Sequence, residues 1–350
     1  MSFLLYGANG YTGQLIARYA KDAGLSPLLA GRNEQKINDL ADALKCPWRA
    51  FDLSDAEKLD AALREVPVVL HAAGPFNRTA RPMMEACLRT GTHYLDITGE
   101  MAVFEMGYHF DEKAQKAGVM LMPGVGFDVV PTDCLALHLK NRLPDATHLC
   151  LAFGTPRGGV SHGTAMTMVE NLGEAGAVRI NGKIVRVPLG HKTLHFPVGK
   201  ISLFAMTIPW GDVSTAYRTT GIPNIEVYMS VAPSAYRQVK WSRHFGWLLR
   251  TEFVKNIARS KVGQRPAGPS DAQRAGNHAY LWGEVRNAKG QTRQATLTTP
   301  EGYTLTVMTS LLILQKVLSS DLKTGFQTPA GAYGEGLILE AEGTERKDLD

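Results

Sequence analysis

Three glycines near the N-terminus have the spacing of a phosphate-binding turn. They lie in Gly7-Ala8-Asn9-Gly10-Tyr11-Thr12-Gly13, which follows the short apolar segment 3–6. One glycine permits a sharp turn at a strand end, a second lets backbone amides approach a pyrophosphate, and a third lets the next helix pack closely. A helical apolar stripe follows Gly13. The pattern therefore predicts a dinucleotide site whose loop residues bind the cofactor: Gly7, Asn9, Gly10, Tyr11, Thr12 and Gly13.

Arg32 stands where an NAD-binding site would place an acidic residue. It follows a predicted strand at 28–30, nineteen residues after Gly13. A guanidinium can form a forked contact with a 2′-phosphate and stack on adenine, so NADP(H) is the preferred cofactor. The alternative is an exposed arginine in the first turn of the next helix, for which Asn33 would be the N-cap. We expect Asn33 to lie near the cofactor as well.

Two further strand ends complete the predicted cofactor edge. Asp52 follows a strand at 48–51; it could accept a hydrogen bond from the adenine amino group, or equally cap the helix that begins near 54–57. A strand at 66–71 leads into small residues against which a cofactor can lie, because ligands in open α/β sheets bind at the carboxyl ends of the strands. The predicted contacts there are Ala73, Gly74, Pro75 and Phe76.

Four side chains are candidates for handling the proton that accompanies hydride transfer. Asp96, Glu100 and Asp128 lie at predicted strand ends, although each could instead cap a helix or bind a loop amide. His162 opens a predicted helix, and a helix N-terminus favours the neutral imidazole. The alternative for His162 is a histidine in a capping loop. No set of residues has credible metal-ligand spacing, so no metal is expected.

The elements that must position these residues fall into two regions. Strands alternate with helices to about residue 130, including helices at 81–89 and 104–117, which predicts a Rossmann-type doubly wound parallel sheet. From about residue 145 the pattern changes to β-branched, alternating segments with one clear helix at 164–172, which predicts an α+β domain with a mostly antiparallel sheet. We expect domains at 1–130, 131–300 and 301–340, and a frayed tail at 340–350.

Composition excludes several classes of protein. The chain has 350 residues, 44% of them apolar and 20% charged, and a net charge of +5, which does not by itself argue for nucleic acid. Four cysteines without zinc spacing favour a reducing cytoplasm. The glycine turn begins within ten residues of the N-terminus, so we expect no signal peptide, and no apolar run is long enough to span a bilayer.

Residues 232–275 form a strongly basic segment. Nine bases and two acids give it a local charge of +7, and its apolar residues have helical spacing. The simpler interpretation is a helix with a solvated face that packs over a core or a dimer contact. A membrane surface or an acidic partner remains an alternative. A loop containing Pro266, Gly268 and Pro269 is expected to end the helix.

Several strings together resemble the saccharopine dehydrogenase family. In chain order they include the glycine loop, Ala30-Gly31-Arg32, Ala73-Gly74-Pro75-Phe76, Tyr94-Leu95-Asp96-Ile97-Thr98-Gly99-Glu100, Pro123-Gly124-Val125-Gly126-Phe127-Asp128 and Thr299-Pro300-Glu301-Gly302-Tyr303-Thr304. They are similar to the short bacterial branch of the family, which includes trans-acting enoyl reductases.

The resemblance implies an NADP-binding domain, a second domain that contacts substrate and dimerises, and a C-terminal helix that returns to the first domain. It places Ala73 to Phe76, Gly99 to Glu100 and Gly124 to Asp128, including Phe127, beside the nicotinamide. The leading hypothesis is an NADP(H)-dependent oxidoreductase acting on a C=C or C=N bond, with an acyl-type substrate carried on an acidic protein. The alternative is a non-catalytic NADP(H) sensor or scaffold.

Overall fold

The computed structural model describes residues 2–155, 161–264 and 267–349. Arg265 of the basic segment and Pro266 of the loop expected to end it lie outside the described residues. The chain divides into two compact units. The first contains the chain up to Asp128 together with Tyr303–Ala332, and the second contains Val129–Gly302 and the chain from Tyr333 onward.

Sixteen strands can be assigned within the described ranges. In chain order they are β1 Ser2–Tyr6, β2 Ser26–Gly31, β3 Trp48–Ala50, β4 Val68–His71, β5 His93–Asp96, β6 Met120–Met122, β7 Ala146–Gly154, β8 Gly176–Ile180, β9 Lys183–Val187, β10 Thr193–Val198, β11 Ile201–Thr207, β12 Asn224–Ser230, β13 His278–Asn287, β14 Thr292–Pro300, β15 Gly325–Phe326 and β16 Glu345–Asp348.

The same ranges contain fifteen α-helices and two 3-10 helices. The α-helices are α1 Tyr11–Asp22, α2 Glu34–Leu44, α3 Ala56–Leu63, α4 Phe76–Thr90, α5 Met101–His109, α6 Asp111–Ala117, α7 Val130–Arg142, α8 His162–Glu170, α9 Asp212–Thr220, α10 Pro233–Ser242, α11 Gly246–Leu249, α12 Glu252–Gly263, α13 Asp271–Ala275, α14 Gly302–Leu318 and α15 Pro329–Tyr333. The 3-10 helices are Arg243–Phe245 and Leu337–Glu340.

A seven-stranded parallel sheet organises the first unit. Its strand order is β15-β6-β5-β4-β1-β2-β3, which confirms the predicted Rossmann-type sheet. The central strands are apolar along nearly their whole length because helices cover both faces of such a sheet. The order reverses between β1 and β4, so a crevice for ligands is expected at their carboxyl ends. Strand β15, which follows the returning helix α14, was not predicted.

The second unit contains a nine-stranded sheet whose main path is β10-β11-β12-β7-β13-β14-β16, with β8 paired to β12 and β9 to β8. The described pairs are antiparallel except for β7 with β12, which confirms the predicted mostly antiparallel sheet. Helix α8 confirms the helix predicted at 164–172, and the unit also contains α7 and α9, which were not predicted. Glycine at 283 lets α7 pack close to β13: a Cβ there would lie 2.6 Å from a methyl carbon of Leu139.

Two sequence-based boundaries differ from the structure. The helix expected at 104–117 is two helices, α5 and α6, because Phe110 is buried at the junction and Asp111 accepts a hydrogen bond from the Phe326 amide of β15 at 2.7 Å. The segment 301–340 is divided, since residues 303–332 belong to the first unit and residues 333–340 to the second.

The expectation of a frayed C-terminal tail was wrong. Strand β16 pairs with β14 in antiparallel register, from Ala295 opposite Asp348 to Thr298 opposite Glu345. Asp348 also accepts from His138 at 2.8 Å and pairs with Arg142 at 3.0 Å. Backbone pairing, the hydrogen bond from His138 and the ion pair with Arg142 therefore order a segment whose charged sequence has no apolar pattern.

No helix among the described residues has the length and apolarity needed to cross a membrane.

Candidate functional site

The glycine loop lies at the point where β1 meets the end of β4. Gly7 has a φ of +88°, and a Cβ on it would lie 2.7 Å from the Ala73 nitrogen, so only glycine fits. The amides of Gly7 and Ala8 both donate to the Ala30 carbonyl of β2, at 2.8 and 3.1 Å. The turn is thus fixed against both neighbouring strands.

The N-terminal end of α1 has the features of a phosphate site. Its N-cap is Gly10, which has no side chain to bind the first amides, and the first turn contains no acidic residue. A Cβ on Gly13 would overlap the Gly7 carbonyl oxygen, so glycine is also required there for α1 to pack against the turn. Amides without intrahelical partners and the positive end of the helix dipole suit a pyrophosphate. The residues present therefore fit a dinucleotide.

Asn9 and Tyr11 of this loop are held by contacts that the sequence did not predict. The Asn9 carbonyl accepts from Gln14 Nε2 at 3.0 Å. Its side-chain oxygen lies so close to Gly31 that a Cβ there would be only 2.8 Å away. The Tyr11 ring packs edge-on against Tyr303 of α14, with centroids 5.1 Å apart. Thr12 lies in the first turn of α1 and is partly exposed.

Arg32 is exposed at the end of β2, as the proposed 2′-phosphate contact requires. Asn33 is the N-cap of α2 and accepts the Lys36 amide at 2.9 Å, so its side chain has a structural role. Asp52 accepts the amide and the hydroxyl of Ser54, at 3.0 and 2.8 Å. These bonds lower the pKa of Asp52, and the charge of Arg32 adds to the effect.

The alternative that Asp52 caps the next helix was wrong. Asp55 is the N-cap of α3, and its carboxylate accepts the Lys58 amide at 3.1 Å. Asp52 instead closes its own turn at the end of β3, which leaves it on the same strand-end surface as Arg32.

The loop after β4 is held from one side by Glu100. The two carboxylate oxygens accept from the first amides of α4, Phe76 N at 2.8 Å and Asn77 N at 2.9 Å. Burial raises the pKa of Glu100, although these two amides oppose the shift. Glu100 is therefore arranged to position the predicted nicotinamide loop, in which Gly74 is exposed, Ala73 and Pro75 are partly exposed and Phe76 is buried.

His71 supports the same loop from beneath, and the sequence did not reveal it. The ring is fully buried, and Nε2 lies 3.0 Å from the Thr79 hydroxyl. That hydroxyl donates to the Ala73 carbonyl at 2.7 Å. Burial lowers the pKa of His71 to about 3, so the ring is neutral at physiological pH. In the sequence His71 ends an apolar strand, and nothing except its residue type indicated a role in the site.

Asp96 is completely buried and its carboxylate accepts three hydrogen bonds. The donors are the Tyr94 hydroxyl at 2.5 Å, the Thr98 amide at 2.9 Å and the Gly124 amide at 2.8 Å. Burial raises the pKa of Asp96 to about 7, even though these bonds lower it. The side chain joins the ends of β5 and β6 and is closed off from solvent.

Asp128 lies at the end of the loop that follows β6. Gly124 begins this loop with a φ of +77°, the Phe127 amide donates to the Thr306 hydroxyl of α14 at 3.0 Å, and the Thr309 hydroxyl donates to Val125 O at 2.8 Å. The loop is therefore held against α14 by two hydroxyl groups that the sequence did not identify as part of the site.

The Asp128 carboxylate lies directly over Gly99, where a Cβ would come within 2.8 Å of Oδ2. The side chain is partly exposed. Burial raises the pKa of Asp128 to about 7, and the charge of Glu100 adds to the shift. Asp128 can therefore exist as a neutral acid near physiological pH. The structure thus brings Asp96, Glu100 and Asp128 together within one unit.

His162 belongs to the other unit. It is the first residue of α8, Ser161 caps that helix, and the His162 amide donates to Ala267 O at 2.8 Å. The three carboxylates Asp96, Glu100 and Asp128, by contrast, lie in the first unit. Among the described residues, no three His, Cys, Asp or Glu side chains are grouped as metal ligands would be.

Comparisons with known proteins agree with this geometry. Residues 3–122 match the family described as the saccharopine dehydrogenase NADP-binding domain. The chain is 32% identical to a protein of Mycobacterium leprae named trans-acting enoyl reductase, over 40% of this chain and 35% of the relative. It is 26% identical to the saccharopine dehydrogenase-like oxidoreductase of Rattus norvegicus, over 62% of this chain and 58% of the relative. The chain spans about half the length of the curated relatives it matches.

A solved structure covers the whole chain. It is the apo form of saccharopine dehydrogenase (L-Glu forming) from Saccharomyces cerevisiae, with a TM-score of 0.69, 13% sequence identity and complete coverage of both chains. At this identity the likeness shows the fold alone. The family match confirms the predicted cofactor class, NADP(H). Residues 3–122 therefore match the saccharopine dehydrogenase NADP-binding domain family, which confirms the predicted resemblance for this part of the chain.

Proposed function

We propose that this protein is an NADP(H)-dependent oxidoreductase that transfers hydride to or from a C=C or C=N bond, with an acyl-type substrate. The observation that carries the proposal is Asp128. A carboxyl group whose pKa is raised to about 7 lies over Gly99, beside the loop that Glu100 holds, in a unit of the NADP-binding family. An acid poised near neutral pH is what a proton donor for a reduction requires.

The residues assigned to the cofactor divide by the part of the molecule that they would hold. Arg32, with Asn33 and Asp52 nearby, would bind the adenosine 2′-phosphate end. The glycine loop and the first turn of α1 would bind the pyrophosphate. The strand-end segment 73–76, with Gly124 and Phe127, would border the nicotinamide. When bound, NADP(H) supplies the hydride.

Among the proton candidates, the geometry supports Asp128 best. Asp96 is enclosed and its carboxylate is used by three donors, so it positions the loop that begins at Gly124. Glu100 uses both oxygens to hold α4. Asp128 combines partial exposure with a raised pKa. It would donate the proton in the reductive direction and accept it in the reverse reaction.

We base the proposed substrate class on the names of relatives of similar sequence. The mycobacterial relative is named an enoyl reductase, and an acyl chain on an acidic carrier protein remains our proposal for the substrate. A homodimer is also proposed, as the family resemblance implies.

Rapid-mixing kinetics test the activity. Loss of NADPH absorbance is followed with enoyl thioesters, cyclic imines and a buffer control. The proposal expects single-turnover oxidation of NADPH with at least one of the two substrate classes. Tight NADPH binding without oxidation by either class would support the alternative, a non-catalytic NADP(H) sensor or scaffold.

A further inference from the structure

Exposed apolar side chains are concentrated in one short part of the second unit. Of the fourteen large apolar residues exposed in the described part of the chain, six lie between positions 241 and 257. They are Trp241, Phe245, Trp247, Leu248, Phe253 and Ile257. Trp241, Trp247 and Phe253 are 71–73% exposed. Concentrations of this kind mark interaction sites, whereas single exposed apolar residues need no explanation.

These side chains are presented by helices that are anchored through other faces. On α12, Ala258 and Val262 pack against Ala165 and Val169 of α8. On the opposite face of α12, Phe253 and Ile257 are one turn apart and point to solvent. The Trp241 and Phe245 rings pack together with centroids 5.4 Å apart.

Basic side chains fix the same helices to the body of the second unit. Arg243 donates to the Leu189 carbonyl at 2.9 Å, Arg250 donates to Gly173 O at 3.0 Å, and Lys255 donates to Glu170 O at 2.7 Å. A carbonyl oxygen is a neutral acceptor, so these contacts hold the helices without cancelling the positive charge. The apolar surface is therefore a built feature of the unit.

The segment 233–263 carries a net charge of +6, from seven Lys and Arg residues and one acid, Glu252. Among these seven basic residues, Arg259 forms ion pairs with two carboxylates, Glu170 and Glu252, both at 2.8 Å. Arg237, Lys240 and Lys261 are exposed in the same segment as the aromatic residues. The surface thus combines aromatic side chains with a strong excess of positive charge.

We propose that segment 233–263 docks on an anionic lipid surface. Tryptophan and phenylalanine favour the boundary between headgroups and acyl chains, and Lys and Arg favour anionic headgroups. A second copy of this chain fits less well, because a two-fold interface would place the same positive surface against itself. An acidic carrier protein would match the charge but supplies no hydrocarbon layer for three aromatic side chains that are more than two-thirds exposed.

Vesicle co-sedimentation of the full chain tests this inference. Vesicles of phosphatidylcholine alone are compared with vesicles that also contain phosphatidylglycerol. We expect sedimentation with the anionic vesicles only, weakened by added salt. Trp241→Ser with Trp247→Ser, and separately Lys240→Glu with Lys261→Glu, should each reduce partitioning at least about tenfold. Because the two variants alter different chemistry, a folding defect in one leaves the other informative.

Matched controls lie elsewhere on the second unit. Ile201→Ser removes an apolar side chain that is 58% exposed, and Lys289→Glu reverses an exposed charge; both should partition like the parent. Absence of binding to anionic vesicles, or equal loss in the controls, would overturn the inference. So would a dimer that the tryptophan variant dissociates, or tighter binding to an acidic carrier protein through the same residues. Each readout is independent of NADPH turnover.

Discussion

At the scale of single residues, we propose that cofactor choice depends on Arg32. Replacing it by glutamate should weaken NADPH binding by about ten- to a hundredfold, since one charge-assisted contact with the 2′-phosphate contributes roughly 1.5–3 kcal/mol. NADH, which lacks that phosphate, should lose much less. Fluorescence titration of both nucleotides measures the difference. Arg18→Glu, an exposed charge reversal within α1, is the control. Equal loss of both nucleotides in Arg32→Glu would show that Arg32 is structural.

We also propose that Asp128 sets the pH profile of turnover. Its pKa is raised to about 7, so the protonated acid predominates below that pH and is lost above it. The rate of reduction should therefore fall as pH rises through 7. Asp128→Asn should remove this limb and lower kcat by about a hundredfold or more, the usual contribution of a general acid. Asp22→Asn, at an exposed position, should leave the profile unchanged. A retained limb in Asp128→Asn would assign the titration to another group.

At the scale of elements, Glu100 connects two strand ends through the start of α4. Glu100→Gln removes the charge from an N-terminal cap and should lower the free energy of unfolding by about 1 kcal/mol, as caps of this kind contribute. It should also speed hydrogen exchange at the Phe76 and Asn77 amides and weaken NADPH binding. Glu85→Gln, on the exposed face of the same helix, is the matched control, and its effect should be negligible. Unchanged exchange at both amides would contradict the positioning role.

Strands β1 to β6 and the glycine turns of the first unit were predictable from the sequence because each depends on local pattern. Apolar runs that end in glycine define β1 and β2, and φ above zero at Gly7 and Gly124 explains the residue type. The contacts that complete the site were not predictable in this way. Thr306 and Thr309 lie about 180 residues from the loop that they hold, and no spacing rule links them to it.

Capping roles were also hard to assign from the sequence. Asp52 and Asp55 are both aspartates and lie three positions apart. Only the turn geometry shows that Asp55, and not Asp52, caps α3. Strand β16 escaped prediction because an edge strand can be held by backbone pairing and ion pairs with charged side chains throughout.

At the scale of the whole molecule, the chain alternates between its two units. The first unit takes its last elements from residues 303–332, after the second sheet is largely complete, and β15 extends the first sheet next to β6. Sequence order alone therefore gives an incomplete domain map. The family match extends over residues 3–122, so the activity of the complete chain is the central proposal that experiment must decide.

Transfer of isotope tests that proposal most directly. NADPH with both hydrogens at the nicotinamide C4 replaced by deuterium is mixed with the enoyl thioester or imine that gives turnover, and the product is analysed by mass spectrometry. We predict one deuterium in the product for each NADPH oxidised, with slower transfer in Asp128→Asn. NADPH that binds at Arg32 but is oxidised without deuterium reaching any product would contradict the proposed hydride transfer.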